Sequence, residues 1–422
     1  MRACTSILIH CVFAALSAAQ NSGTPPSTRV AEIEQARDAK EAALRPDDVS
    51  SAERFFRDVK EKQWLERLTG GYNGVRAKIG GMVTGGGFAF GPEYSREDLL
   101  SGNLTFRTSA QISTRAYYKY EAAAALPKLW GDRLILSLAG THRNYGGINY
   151  YGPGPDSSRG NRTNYRLEDT SADGIAVFKT ARYVKLGGSL GGLWVNVGPG
   201  IDTRFASTER VFGAGRLPGL DRQTNHLRTS VFGQFDYRDN PDGPKSGGNY
   251  VFQYSWYEDR ALGIFGFRRM DIDVQQYIPF LNKTHRIALR GKGTFTESDG
   301  QQATPFYLQP FLGGSDDLRG FRPFRFSDRS KVVYNAEYQW EIFAGLDGAL
   351  FFDAGKVMPR RSLLAFSQLE TSAGFGLRFN VRNATFIRID TGFSHEGFQV
   401  WFKFNSAFNS HRFGTNTAEP VY

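Results

Sequence analysis

The sequence predicts an all-β membrane protein: a 16-stranded antiparallel transmembrane β-barrel, preceded by a short helical N-terminal extension. Three observations predict this fold. Apolar and polar residues alternate with period two over most of residues 75–408. After the first twenty residues, no apolar run is long enough for a transmembrane helix. Glycine (48 residues) and aromatic residues (14%) are abundant, as is typical of curved strands and interfacial aromatic girdles.

Residues 1–19 are predicted to be a secretory signal peptide. Arg2 supplies the positive charge, residues 7–16 are mostly apolar, and residues 17–19 are small, as cleavage requires. The alternative interpretation is a short buried helix. The two cysteines, Cys4 and Cys11, would leave with the signal, so disulfide and thiol chemistry are not expected in the mature chain.

Residues 20–74 are predicted to be a flexible leader followed by a periplasmic helical segment. Residues 20–28 are rich in Ser, Thr and Pro, and residues 29–69 have a helical composition interrupted at Pro46. We consider three placements for this segment: in the periplasm, inside the barrel as a plug, or against a partner protein. A simple amphipathic linker is the alternative.

The strand from residue 331 to 342 shows the alternation most clearly. Val332, Tyr334 and Tyr338 share one face, whereas Asn335 and Glu337 share the other. Only a β-strand places alternate residues on opposite faces. A soluble sheet would also alternate, but a sandwich of this size would need covering helices that the sequence lacks. Apolar residues facing lipid and charged residues facing a lumen fit a closed barrel better.

Sixteen segments are candidate strands, and an even number suits an antiparallel barrel. They are 76–90, 102–113, 115–126, 132–143, 162–180, 184–199, 226–239, 248–258, 264–280, 283–297, 303–312, 331–342, 347–357, 369–380, 384–394 and 397–408. The barrel domain is therefore predicted over 75–408, followed by a polar tail at 409–422. Short turns alternate with longer loops, as expected of periplasmic turns and external loops.

The formal net charge is +10. A basic barrel suits anionic lipids around it or an anion-preferring lumen, so outer-membrane lipids are expected partners. No block of Lys or Arg indicates nucleic-acid binding. The six histidines have no metal-ligand spacing, and we expect no metal and no cofactor.

No catalytic residues are predicted, and an enzyme is not expected. Residues 187–191 read Gly-Gly-Ser-Leu-Gly, which matches the Gly-x-Ser-x-Gly pattern of hydrolases. That motif needs a sharp turn from a strand into a helix, and no helix follows here. Residues 187–192 and 85–87 also resemble phosphate-binding loops, but both lie within strand patterns, where glycine more often permits curvature.

Four short motifs in the C-terminal half carry a family resemblance. They are Gly313-Gly314-Ser315-Asp316-Asp317-Leu318-Arg319-Gly320-Phe321, then Ala336-Glu337-Tyr338, then Phe351-Phe352-Asp353-Ala354-Gly355, with Asp236-Tyr237-Arg238-Asp239-Asn240-Pro241 upstream. Together they resemble the BamA/TamA-type outer-membrane assembly family, the bacterial surface antigen family, with its two-partner secretion translocator relatives. The resemblance spans residues 236–355, and the strand count extends it over 75–408.

The resemblance implies a role for each motif. The loop 312–330 would fold into the lumen and place Leu318, Arg319, Gly320 and Phe321 against the inner wall. Glu337 and Asp353 would accept the Arg319 guanidinium, and Asp236, Arg238, Asp239, Asn240 and Pro241 would form a strand-to-turn segment. Gly320 would allow a sharp turn, and Phe321 would anchor the tip. The alternation independently places Glu337 and Asp353 on the inner face of two neighbouring strands, where one planar guanidinium reaches both.

The chain departs from the family in two places. Family members carry periplasmic POTRA domains, and residues 20–74 leave no room for a complete one, so we expect a POTRA-less member. Family barrels usually end on a final aromatic residue, whereas here the polar tail follows Phe408.

Three functions remain open from the sequence. The first is a monomeric barrel that assists insertion or translocation of client outer-membrane or secreted proteins, or lipid-linked substrates. It would act at the seam between the first and last strands. The second is a passive or gated pore, in which charged residues form a constriction: Arg319, Glu337, Asp353, Arg388 and Lys403. The third is a structural barrel whose helical segment anchors a periplasmic partner.

Overall fold

The computed structural model describes residues 72–213, 215–281, 284–381, 384–404 and Phe408, together with Glu34 and Arg37. Glu34 and Arg37 are helical. The predicted signal peptide, the remainder of the N-terminal helical segment and the tail 409–422 lie outside the described residues.

Sixteen strands form one antiparallel sheet, in which each strand pairs with the next barrel strand along the chain. They are β1 Val75–Gly80, β2 Ala89–Leu99, β3 Leu104–Ser113, β4 Tyr118–Leu129, β5 Leu134–Tyr150, β6 Thr163–Ala181, β7 Val184–Pro199, β8 Thr224–Asp236, β9 Gly247–Asp259, β10 Phe267–Phe280, β11 His285–Glu297, β14 Ser330–Phe343, β15 Leu346–Met358, β16 Glu370–Val381, β17 Ala384–Ser394 and β18 Gly397–Lys403. Two short strands, β12 Phe311–Leu312 and β13 Phe326–Ser327, pair separately within one loop. The predicted 16-stranded antiparallel barrel is confirmed.

The two faces of the strands differ as the alternation predicts. Large apolar side chains project outward and are exposed, among them Leu138 (69%) and Phe402 (66%). Charged and amide side chains project into the lumen and are buried, including Asp353 and Gln275 (both 0%). The wall therefore presents hydrocarbon to lipid and keeps its charges inside.

The sheet begins at β1 and ends at β18, and these two edges face each other across a seam. Among the described residues, no backbone ladder pairs β1 with β18. Both edge strands are short, with six and seven residues, whereas β5 and β6 have 17 and 19. Phe404 bridges the seam by packing its ring against Phe88, with 5.7 Å between ring centroids. The seam is thus closed by side chains where the rest of the wall is closed by hydrogen bonds.

Two predicted strands are wrong, and their errors cancel in the count. The segment 76–90 is not one strand: β1 ends at Gly80, and β2 begins at Ala89. The backbone reverses between them, with positive φ at Gly80, Gly85 and Gly87 that the glycines permit. The segment 303–312 is not a barrel strand, because it forms a 3₁₀ turn at Phe306–Leu308 and the short strand β12.

The last strand also differs from its prediction. Predicted over 397–408, it ends at Lys403. Phe408 is buried with Tyr277 and Ala288, two residues on the lumenal faces of β10 and β11. At Phe408 the chain therefore lies inside the lumen. β18 itself has only one paired neighbour, so a single ladder holds it in the wall.

The longest connections lie at one end of the barrel, where apolar side chains of these loops and of the neighbouring strand ends gather into one large cluster. Its buried members are Tyr117, Tyr145, Ile148, Tyr150, Tyr165, Leu193, Val195, Leu217, Leu220, Tyr257, Phe267, Phe306, Tyr307 and Leu308. We call this cluster the loop cap. Its centre is Phe306, whose ring meets those of Tyr150 and Tyr165 edge-on, at 5.3 and 4.9 Å. The loop cap therefore lies at the end of the barrel that carries the long loops.

One short helix, α1 Thr208–Phe212, lies in the loop between β7 and β8. Two further 3₁₀ turns occur, at Arg159–Asn161 and Arg361–Leu363. The sequence did not predict these short elements. Within the residues that the structure describes, no helix is long and apolar enough to cross a membrane.

Candidate functional site

The connection between β11 and β14 folds back into the lumen and carries Arg319 at its tip. The pairing of β12 with β13 draws the two arms of this loop together. Leu318 and Phe321 flank the arginine and are fully buried, in a cluster completed by Leu312, Phe326, Val333 and Val357. This apolar cluster holds the tip against the inner faces of β14 and β15.

Arg319 binds two carboxylates of neighbouring strands. Its Nη1 atom lies 2.5 Å from Glu337 Oε2 on β14, and its Nη2 atom lies 2.7 Å from Asp353 Oδ1 on β15. The Nε atom donates to the other oxygen of Asp353 at 2.9 Å, so that pair is bidentate. Arg319 is only 2% exposed. A lysine has one ammonium and could not make this planar, forked contact.

The surroundings of Arg319 add further contacts, including one from the last strand, β18. Its guanidinium lies over the ring of Phe351, 3.5 Å from the centroid, an arrangement that favours the cation. Its backbone nitrogen donates to Asp353 at 3.1 Å, and its carbonyl accepts from Nε1 of Trp401 on β18 at 2.7 Å. The loop tip is therefore bound to the last strand of the barrel as well as to β14 and β15.

Two further arginines complete the buried cluster. Arg378 on β16 lies 2.7 Å from Glu337 and 2.6 Å from Asp390 on β17. Arg388 lies 3.3 Å from Asp390. We call the set of Arg319, Arg378, Arg388, Glu337, Asp353 and Asp390 the lumenal charge cluster. Its three cations and three anions balance, as burial of charge requires. Arg378, Arg388 and Asp390 alternate with the apolar residues Leu377, Ile387 and Ile389, which is typical of inward-facing residues, but alternation gives no sign of their partners.

Gly320 is needed for close approach and not for a left-handed turn. A Cβ atom at this position would lie 2.6 Å from Ser372 Cβ and 2.7 Å from the Phe393 carbonyl. Gly320 does not have a positive φ; the left-handed glycines of this loop are Gly313 and Gly314. A turn does lie beside the arginine, where the Phe321 backbone nitrogen donates to the Leu318 carbonyl at 3.2 Å, and Gly320 lets this turn lie directly on β16 and β17.

Asp316 connects the same loop to both sides of the seam. Its carboxylate lies 3.2 Å from Lys403 Nζ on β18 and 3.3 Å from Arg388 on β17. It also accepts from Thr84 Oγ1, in the connection after β1, at 3.3 Å. Burial tends to raise the pKa of Asp316, but Lys403 and Arg388 outweigh it and hold the pKa below its ordinary value. Asp316 is thus ionised at neutral pH and bridges the two edges of the sheet.

The upstream strand-to-turn motif lies in the connection after β8, at the end with the short turns. Asp236 pairs with Arg238 at 2.7 Å. Oδ1 of Asp239 accepts from the backbone nitrogens of Asn240, Lys245 and Ser246 at 2.9, 3.0 and 3.2 Å, which closes the turn that contains Pro241. The structure gives this motif a local role in shaping a turn, away from the loop tip that carries Arg319.

No group of His, Cys, Asp and Glu suitable for holding a metal ion occurs in the described part of the chain. The acidic groups of the lumenal charge cluster are instead occupied by guanidinium groups. The chemistry of this site is therefore that of an ion-paired structural contact between a loop and the barrel wall.

Comparison with known proteins identifies one family and several solved structures. The Omp85 superfamily domain matches residues 98–405. BamA from Haemophilus ducreyi, in a structure lacking POTRA domains 1–3, is similar in fold, with a TM-score of 0.60 at 14% identity over 79% of this chain and 70% of that one. CdiB from Escherichia coli gives a TM-score of 0.54 at 13% identity over 79% of this chain, which spans 62% of its length. CdiB from Acinetobacter baumannii gives 0.49 at 13% identity over 78% of this chain, which spans 58% of its length. A search of curated protein sequences finds no match.

Proposed function

This chain belongs to the Omp85 superfamily of outer-membrane barrels, and on that premise we propose that it inserts client proteins into the membrane at the seam between β1 and β18. The family match covers residues 98–405, most of the barrel. The protein is an outer-membrane barrel involved in protein insertion or translocation. Of these two activities we propose insertion, and we place it at the seam.

The unpaired seam is the observation that carries the proposal. A strand edge without a backbone partner exposes N–H and C=O groups that a second chain can pair with. In hydrocarbon, such groups have no water to bind, so an incoming strand of a client would gain strongly by pairing there. The short lengths of β1 and β18 lower the cost of separating them. The seam is thus the weakest line in the wall and a template for a new strand.

The loop cap favours insertion over passage through the lumen. Fourteen buried apolar side chains pack together at the end with the long loops. A polypeptide passing straight through the barrel would have to displace them, together with the lumenal charge cluster below. A client that leaves sideways through the seam meets neither barrier.

The inserted loop organises the seam in this proposal. Asp316 contacts both Lys403 and Thr84, on opposite sides of the seam, and Trp401 donates to the Arg319 carbonyl. These contacts hold the edge strands close while no client is present. Their number is small and they are made by side chains, so they can be exchanged for client contacts without unfolding the barrel.

A pore is the second candidate, and the lumen argues against a steady one. The residues that would line a constriction, including Glu337, Asp353 and Arg388, contact each other and the inserted loop. The third candidate, a partner bound through residues 29–68, concerns a segment outside the described residues. We propose no enzymatic step, because insertion needs only strand pairing and a membrane that admits the client.

Reconstitution tests the proposal. Liposomes containing the purified chain are mixed with a urea-unfolded outer-membrane barrel, and the appearance of protease-resistant client is followed over time. We expect faster client folding than in liposomes without the chain. An unchanged folding rate, together with a large steady conductance in planar bilayers, would contradict insertion and favour the pore.

A further inference from the structure

The lipid-facing wall around β6 contains an apolar trough with a cavity volume of about 680 Å³. Small residues form its floor and leucines form its sides: Gly174, Ala176 and Gly188, with Leu136, Leu138 and Leu190. The trough lies far from the lumenal charge cluster, since it opens on the other face of the sheet. Insertion at the seam makes no use of it.

The register of the strands explains the shape of the trough. Leu138 pairs with Gly174, which pairs with Leu190, so two leucines stand on either side of a glycine. Two residues further along each strand on the same face, Leu136 pairs with Ala176, which pairs with Gly188. Neighbouring strands are about 4.8 Å apart, so the leucines of β5 and β7 stand roughly 10 Å apart across β6. This gap has the width of one hydrocarbon chain.

No part of the described chain covers the trough. Leu138 is 69% and Leu190 is 56% exposed, although both are large and apolar. In a membrane this surface meets lipid tails, and a concave surface makes more contacts with one tail than a flat wall does. The trough therefore favours an acyl chain lying along β6.

Basic side chains cluster at the end of the trough where the short turns lie. Lys128 and Arg133 flank the turn between β4 and β5, and Lys179 and Arg182 flank the turn between β6 and β7. The structure gives none of these four a carboxylate partner among the described residues, and Asp132 is the acidic residue between them. The cluster thus carries excess positive charge at the short-turn end of this wall, one row of side chains (Leu134, Phe178 and Leu186) beyond the trough.

Two aromatic residues mark the level of the lipid headgroups at this end. Trp130, in the turn after β4, is 77% exposed, and Tyr183, in the turn after β6, is 40% exposed. Aromatic side chains with a polar tip prefer the interface between hydrocarbon and water. The basic cluster therefore lies at the depth of lipid phosphates, and short turns place it on the periplasmic side.

We propose that the trough and this basic rim together bind one anionic phospholipid of the periplasmic leaflet. One acyl chain fills the groove over Gly174 and Ala176. The phosphate is held by Lys128 and Arg182, with Arg133 adding attraction at longer range. An outer-leaflet glycolipid would carry its headgroup at the opposite end, away from this rim.

Native mass spectrometry of the full purified chain tests the proposal. The chain is released from micelles that contain equal amounts of phosphatidylglycerol and phosphatidylcholine. We expect one retained phosphatidylglycerol. Ala176→Phe fills the trough and should abolish retention of that lipid, whereas Ala373→Phe, at an exposed lipid-facing position on β16, should leave it unchanged. The mass of the unliganded chain confirms each substitution, and heat-modifiable migration shows that each variant is folded.

A charge variant separates headgroup recognition from packing in the groove. Lys128→Gln combined with Arg182→Gln should weaken the preference for phosphatidylglycerol by about fivefold for each charge removed. Equal retention of both lipids by the wild-type chain would overturn the proposal. So would undiminished retention by Ala176→Phe, or a dimer that forms through this face and excludes lipid. None of these outcomes depends on client insertion.

Discussion

At the scale of single residues, the molecule depends on one buried arginine. Arg319 reaches Glu337 and Asp353 at hydrogen-bond distances while almost no part of it meets water. Charges buried in this way stabilise a protein only when each finds its partner, because removal of one leaves the others uncompensated. The loop tip is thus fixed by a contact that is strong when complete and costly when broken.

Arg319→Ala should therefore release the loop while leaving the barrel intact. Loss of the guanidinium leaves two buried carboxylates, and breaking such a pair typically costs about 3–5 kcal/mol. Limited proteolysis should reveal new cleavage between residues 298 and 329. Arg360→Ala, in an exposed loop, is the control and should not change the pattern. Identical proteolysis of Arg319→Ala and wild type would show that Arg319 does not hold the loop.

Gly320→Ala should loosen the same loop for a steric reason. The new Cβ would lie 2.6 Å from Ser372, so the loop must move away from β16, at a cost of about 1–3 kcal/mol. Gly291→Ala is the control, because its Cβ would meet no atom within 4 Å. The midpoint of heat-modifiable migration should fall for Gly320→Ala alone. Equal midpoints in the two variants would contradict the close packing.

The sequence could predict part of this site. Glu337 and Asp353 were expected to face inward from the alternation, and their meeting with Arg319 was implied by the family resemblance. Arg378, Arg388 and Asp390 lie on strands that the alternation oriented well, yet their pairing could not be foreseen. Arg378 reaches past β15 to Glu337 on β14, and alternation specifies which face a residue occupies without specifying what it meets there.

At the scale of elements, the strands differ in how firmly they are held. β5 and β6 are long and each pairs on both sides, whereas β1 and β18 are short and pair on one. A strand with one paired neighbour has about half as many interstrand hydrogen bonds as a strand with two, so it opens locally more easily. The edges of the sheet are therefore expected to open first.

Hydrogen exchange followed by mass spectrometry should show this difference. Peptides covering β1 and β18 should exchange much faster than peptides covering β5 and β6, since few hydrogen bonds protect the edge strands. The strands β10 and β11 are paired on both sides and lie away from the seam, so they serve as an internal reference. Equal protection at the seam and in β5 would mean that a ladder closes the barrel.

Most strands could be predicted from period two, and the two errors have a common cause. Alternation continues through residues 76–90, although glycines at 80, 85 and 87 reverse the chain. It also continues through residues 303–312, although Pro305 and Pro310 remove the N–H groups that a barrel ladder needs. Alternation indicates which face of a strand each residue occupies. The position of a turn depends on backbone angles, which alternation does not report.

At the scale of the whole molecule, the lumen is occupied by the inserted loop, and the seam has no backbone ladder among the described residues. The loop cap and the inserted loop fill the interior, whereas side chains alone close the wall between β1 and β18. Under the proposed function, a barrel built in this way should conduct poorly and open at the seam. That combination suits a protein that works on the membrane around it.

Planar-bilayer conductance should report the filled lumen. The wild-type chain should give small, flickering currents, and deletion of residues 312–330 should give large, steady ones, because the loop occupies the lumen. Deletion of residues 361–367, an exposed loop, should leave the currents small. Small currents after deletion of 312–330 would indicate that something else blocks the lumen.

Locking the seam tests the central claim most directly. A Cβ built on Gly80 lies 3.8 Å from Phe404 Cβ, within disulfide range, so Gly80→Cys with Phe404→Cys should cross-link the two edges. Because φ at Gly80 is positive and strains a cysteine there, the reduced variant is first compared with wild type. Ala373→Cys with Phe393→Cys, register partners within the wall, is the control. Client folding in liposomes should stop when the seam pair is oxidised, resume on reduction, and continue in the oxidised control. Undiminished folding with the seam locked would contradict insertion through it.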